Sequence, residues 1–145
     1  MKKSRLTKIL VEGNPELLKQ LSLQVEELVE VRLERKPKTG LIMLKVRDSV
    51  SKEPFYMGEV LVSECTVSIE GTYGMGTIMG EEFERSYQIA VIDAAFNVNL
   101  PITKTWLKKL EEEETAIHHR HQQEHAMVAN SRVNFDTMED YNDKS

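Results

Sequence analysis

The sequence predicts an α+β domain: an antiparallel sheet of about four strands with helices packed on it, a long projecting C-terminal helix, and a docking tail. Three observations predict it. Cys65, Val67 and Ile69 alternate with Thr66, Ser68 and Glu70, the period-2 signature of a strand with one buried face. Over residues 82–98 the period lengthens to 3.6. Phe83, Tyr87, Ala90, Val91, Ala94 and Ala95 form one apolar stripe and Ile89, Ile92 and Phe96 a second, so this helix is covered on two sides. After Pro101 the apolar positions thin out over a stretch long enough for one extended helix.

Ser4 can cap a short first helix whose apolar face is Leu6, Ile9 and Leu10, with Gly13 at its end. Asn14-Pro15 is a start signal for a second helix, with Leu17, Leu18, Leu21, Val25 and Leu28 on one face. Residues 29–35 alternate as a strand, residues 36–40 (Lys-Pro-Lys-Thr-Gly) read as a turn, and residues 41–47 return as the partner strand of a hairpin. Residues 48–54 are a polar loop, and Phe55 opens the central strand region. Gly71-Thr72 signals a turn into a short strand through Met79.

Residues 103–128 read as a single helix whose apolar positions are few: Trp106, Leu107, Leu110, Ile117 and Val128, interrupted by Glu111 to Glu114 and four histidines. A helix this polar is expected to project into solvent, span between bodies, or dock on a partner. The following segment sets Val133, Phe135 and Met138 as anchors among polar residues, and residues beyond 138 form an acidic tail. Residues 1–99 are therefore expected as an α+β core and 100–145 as helix and docking tail of one overall domain.

The 145-residue length suffices for a real core. A net charge of −5, with Lys and Arg scattered along the chain, weighs against nucleic acid and against unaided polyphosphate binding. Cys65 is the lone cysteine, which points to a reducing compartment. The only apolar run near the N-terminus, Ile9-Leu10-Val11, is too short for a signal core or a membrane span. The expectation is a soluble, cytoplasmic protein with neither nucleic acid nor membrane as partner.

Candidate chemistry is sparse. Gly74-x-Gly76 followed by Gly80 and a helix has the elements of a phosphate-binding loop. However, no strand follows that helix, and Glu81, Glu82 and Glu84 at its start repel anions, so turns and close packing explain the glycines better. His118, His121 and His125 share a helical face, and His121 and His125 could ligate one metal ion with Glu114 or Glu124, but no Cys or second His cluster completes a site and a solvated polar face explains them better. Cys65 reads as a small buried hydrophobe and Asp93 as a buried salt-bridge partner. Arg132 suits a carboxylate or phosphate of a partner. No catalytic, cofactor-binding or metal-binding residue is assigned. Arg132, Val133, Phe135, Met138 and Asp93 are the partner-binding candidates.

Several stretches together resemble a known family. They are residues 34–47, Pro54-Phe-Tyr-Met-Gly-Glu59, Leu61-Val-Ser-Glu-Cys-Thr-Val67, the Gly71/Gly74/Gly80 spacing, Ala90-Val-Ile-Asp-Ala-Ala95 and Ser131-Arg-Val-Asn-Phe-Asp-Thr-Met138. In this order they are similar to PhnG, a small subunit of the bacterial phosphonate carbon–phosphorus lyase core complex. The resemblance implies assembly with the PhnI, PhnH and PhnJ families, with ATP and alkylphosphonate met through the complex. It implies an accessory role in coupling alkylphosphonate to C1′ of ATP with loss of adenine, the catalysis lying on PhnI. The alternatives are a stand-alone interaction module, or an enzyme with a metal on His121 and His125.

Overall fold

A computed structural model describes the backbone of residues 1–47 and 54–143, and side chains over 1–43 and 58–126. The order is α1 (Lys3–Glu12), α2 (Pro15–Leu28), β1 (Arg32–Arg47), β2 (Pro54–Ile69), β3 (Thr72–Met79), α3 (Phe83–Asn97) and α4 (Ile102–Asp143). The strands form one antiparallel sheet in the order β1-β2-β3. The α+β class and the helices packed on an antiparallel sheet stand as expected, with three strands where about four were expected.

The difference lies in residues 36–40. No turn forms there; β1 runs straight through Pro37 and pairs with β2 from Arg32↔Ser68 to Arg47↔Pro54. Register shifts between Leu33 and Arg35, and between Arg35 and Lys38, absorb the proline. A proline at a bulge of an edge strand breaks no ladder bond the sheet needs, so a residue that signals a turn locally is tolerated in a strand here. The expected loop over 48–54 falls mostly on residues 48–53, outside the described residues. Pro54 itself opens β2.

The β2–β3 connection is Glu70-Gly71, with φ of 52° and 81°. Two consecutive positive φ angles suit the two-residue turn whose twist matches the flanking strands. At the N-terminus, Asn14 caps α2 by accepting the Glu16 N–H at 2.9 Å, as its Asn-Pro start signal predicts. Ser4 does not cap α1. The helix starts at Lys3 with Lys2 at the cap position and no side-chain cap bond. Leu28, expected on the buried face of α2, is exposed at the helix end.

The core lies between one face of the sheet and the helices. Val67, Ile69, Leu21, Val25, Val91, Ile92, Trp106 and Leu110 all sit at or below 1% exposure. α3 is the central element, with Ile89 to Ile92, Ala94 and Ala95 all buried, and α2, α1 and α4 cover what the sheet does not. The double apolar stripe of its sequence is thus largely satisfied within the chain, except at Phe83, which is exposed at the helix start. α3 ends in a left-handed Asn99 (φ 58°), with the Leu100 N–H reaching back to Ala95 O at 3.0 Å. That motif closes the orphan carbonyls of the helix and turns the chain into α4.

The long C-terminal helix is present, but its first part packs instead of projecting. Trp106, Leu110 and Ile117, spaced by four and seven, form a narrow buried seam against the rest of the core. The Trp106 ring lies 5.9 Å from that of Phe96, and its Nε1–H donates to Gln24 Oε1 at 2.8 Å. A narrow seam suffices because the polar residues beside it are also engaged. Arg5 donates both Nε–H and Nη2–H to the Glu114 carboxylate at 2.7 Å, the Asn14 N–H donates to Glu113 Oε1 at 2.9 Å, and Arg120 donates to Glu12 O at 3.2 Å. Beyond the expected end at Val128, the helix continues to Asp143.

Candidate assembly surface

α3 packs on one face of the sheet and α1 and α2 pack on α3, which leaves the residues of the other face available. Along β3, Gly74, Gly76 and Ile78 face the helices and are buried, while Tyr73, Met75 and Met79 face outward and are exposed. The two glycines are where α3 crosses the strand. A Cβ on Gly76 would lie 2.0 Å from Ser86 O, and one on Gly74 would lie 2.3 Å from Ala90 O and Ala94 N. They permit backbone-to-backbone packing, which confirms the close-packing explanation of the Gly-x-Gly pair and leaves no room there for a phosphate.

Two polar contacts hold this crossing in place. Asp93 Oδ2 accepts the Met75 N–H at 3.0 Å, and Asn97 Nδ2–H donates to Tyr73 O at 2.9 Å, so α3 ties down the free edge of β3. Asp93 is half-buried and pairs with backbone and Asn97, not with a cation, so the expected salt bridge does not form among the described residues. The fully buried Ser63 does comparable work on β2. Its hydroxyl donates to Gly80 O at 2.6 Å and accepts the Glu82 N–H at 2.8 Å, fastening the turn before α3 to a neighbouring strand. Sequence reading missed Ser63 because its partners lie 17 and 19 residues away, beyond any local capping pattern.

The outward face is a different chemical surface. Met75 and Met79 are 62% and 69% exposed, and beside them Glu34, Arg35, Thr66, Tyr73 and Met75 line a shallow hollow. Ser68 donates to Glu34 Oε1 at 2.7 Å across the strands. β3 ends where Met79 opposes Val62, so beyond that point β1 and β2 continue as a two-stranded ribbon. On the ribbon, Leu41, Ile42 and Met43 are 63%, 43% and 54% exposed.

The remaining titratable groups have structural explanations. His121 Nε2 lies 3.9 Å from Glu12 Oε2, and it lines an open cleft between α1 and α4 with His118, Lys8 and Glu114. His118 and His119 contact Gln122 and Gln123 one turn on, and His125 is exposed. Among the described residues, no group of three His, Cys, Asp or Glu side chains is placed to hold one metal ion. The hydrogen bond from Arg5 holds the Glu114 carboxyl below its ordinary pKa, and the same bond raises that of Arg5. Burial raises the Cys65 thiol, whose Sγ–H donates to Arg35 O at 3.4 Å. A thiol so held stays protonated and unreactive at neutral pH. Burial also raises the Tyr87 hydroxyl, with the Glu26 carboxylate adding to the effect. Arg132, Val133, Phe135 and Met138 lie on the last turns of α4, where side chains are outside the described residues.

Fold and site together define a small α+β protein whose three-stranded sheet, among the described residues, carries α3 on one face and exposed Tyr73, Met75 and Met79 beside polar side chains on the other. No helix among the described residues is long and apolar enough to cross a membrane. The chain belongs to the PhnG family: the family model of phosphonate metabolism protein PhnG matches residues 1–139. A curated relative from Rhizobium meliloti (strain 1021), alpha-D-ribose 1-methylphosphonate 5-triphosphate synthase subunit PhnG, is 34% identical over 73 residues. That match takes in 50% of this chain and 47% of the relative, about half the length of each.

Proposed function

We propose that this chain is an accessory subunit of a phosphonate-processing complex, required when alkylphosphonate is coupled to C1′ of ATP with release of adenine. Catalysis in this reading resides on a partner subunit of the PhnI family, with PhnH and PhnJ family subunits completing the core and cytoplasm as the compartment. The observation that carries it is the match to the PhnG family over residues 1–139. The relative's designation as a subunit of an alpha-D-ribose 1-methylphosphonate 5-triphosphate synthase supports this reading.

The physical chemistry of the chain supports a joining role. Stabilising a transferring triphosphate or phosphonate takes convergent cations or a metal ion. Here Arg5 and Arg120 are engaged by acids or carbonyls, and Arg85 donates to Val11 O at 2.8 Å between α3 and α1. Tyr73, Met75 and Met79, exposed together on the outer side of β3, form the kind of apolar cluster that often marks a protein interaction surface. The test is reconstitution with ATP and methylphosphonate. Adenine release is expected from the full set of subunits, with a large loss when this chain is omitted and none from this chain alone. Release by the isolated chain, or an undiminished rate without it, would overturn the reading.

A further inference from the structure

We propose that the 39–44 segment of β1 is an open sheet edge that receives one extended strand from another subunit, a strand apolar in its middle and acidic at both ends. This inference rests on the subunit reading above and names the surface through which it operates.

The two halves of β1 treat their free edge differently. Natural sheets guard exposed edges with charges, prolines and bulges, because unpaired backbone groups recruit any passing strand. Residues 32–38 carry all three guards: Arg32, Arg35, Lys36 and Lys38, Pro37, and two register shifts. From Lys38↔Glu64 to Leu44↔Gly58 the register is unbroken, and residues 39–44 contain no charge and no proline. Leu41, Ile42 and Met43 are all substantially exposed along that run. Among the described residues β1 has β2 as its one neighbour, and beyond Val62 the sheet is two strands wide. A two-stranded ribbon is marginal in water by itself, and a third strand supplies what it lacks.

Charge selects the occupant. β1 carries six basic residues against one acid, Glu34, although the whole chain has a net charge of −5. The basic residues flank the apolar run, with Lys36 and Lys38 before it and Lys45 and Arg47 after it. A second copy of this chain is therefore the wrong partner. Antiparallel self-pairing centred on Leu41 and Ile42 would set Lys38 against Lys45 and Lys36 against Arg47, and like charges directly opposite destabilise a ladder. A strand with acidic ends reverses that sign at each end.

The experiment compares the isolated chain with the complex formed by co-expression with its other subunits. Amide exchange at residues 39–44 is expected to slow by at least about tenfold in the complex. The Leu41→Lys/Met43→Lys double variant should keep its Tm and lose co-assembly by at least about tenfold. Lys36→Glu/Lys38→Glu should also weaken co-assembly, and with a reduced salt dependence. Edge amides that exchange equally fast in the complex, or co-assembly of the double variant at wild-type yield, overturn the proposal. So does a homodimer of the isolated chain that L41K/M43K abolishes. A wild-type chain that joins no subunit refutes the subunit reading itself, whereas full assembly of wild type and variants alike refutes only the edge.

Discussion

One sheet presents two unlike faces. On the helix side, Cys65, Val67 and Ile69 of β2 are at most 2% exposed, and the opposing positions of β3 include glycines that α3 approaches to backbone distance. On the other side, Tyr73, Met75 and Met79 occupy the alternate positions of the same strand with most of their surface in water. On β2 the alternation already marks the inner face, since Thr66 and Ser68 take the outer positions, but on β3 Tyr73, Met75 and Met79 make the outer side apolar too. Coverage completes the separation: α3, backed by α1 and α2, packs on one face, while on the other Tyr73, Met75 and Met79 stay exposed among the described residues. The difference teaches that stability resides in the first face while the second is free to serve recognition.

The comparison can be broken first at Trp106. Trp106→Ala removes the largest side chain of the α4 seam, together with its contact to Phe96 and its bond to Gln24. A loss of about 3–5 kcal/mol in urea unfolding is expected. Gly76→Ala follows, because its methyl would meet the main chain at Ser86 O and Ala90 N, which cannot rotate away. A loss of about 3 kcal/mol is expected, with α3 pushed off β3. The smallest effect belongs to the open face: Met79→Ser should change unfolding free energy by no more than about 0.5 kcal/mol. A Met79→Ser loss as large as that of Gly76→Ala would erase the distinction between the two faces.

Much of this was legible in the residues. The alternation at Cys65 to Ile69, the double stripe of α3, the Asn14-Pro15 start and the Gly71 turn each depend on neighbours within a few positions, and each is where its pattern placed it. Two readings failed because their partners are distant. Pro37 reads as a turn until β2 is beside it, and only then does β1 emerge as one strand that carries six basic residues. Glu113 and Glu114 read as solvated charge until α1 supplies Arg5 and α2 supplies the Asn14 N–H, 109 and 99 residues away along the chain.

Periodicity and capping by themselves determined the helices, the strand core and the α+β class, since hydrophobic pattern and local hydrogen bonding act over a few residues. That β1 is continuous and that the polar start of α4 lies down on the core were decided by tertiary structure alone. The physical reason is that burial and ion pairing depend on what a distant segment brings to the same place. Sequence spacing carries no record of that meeting.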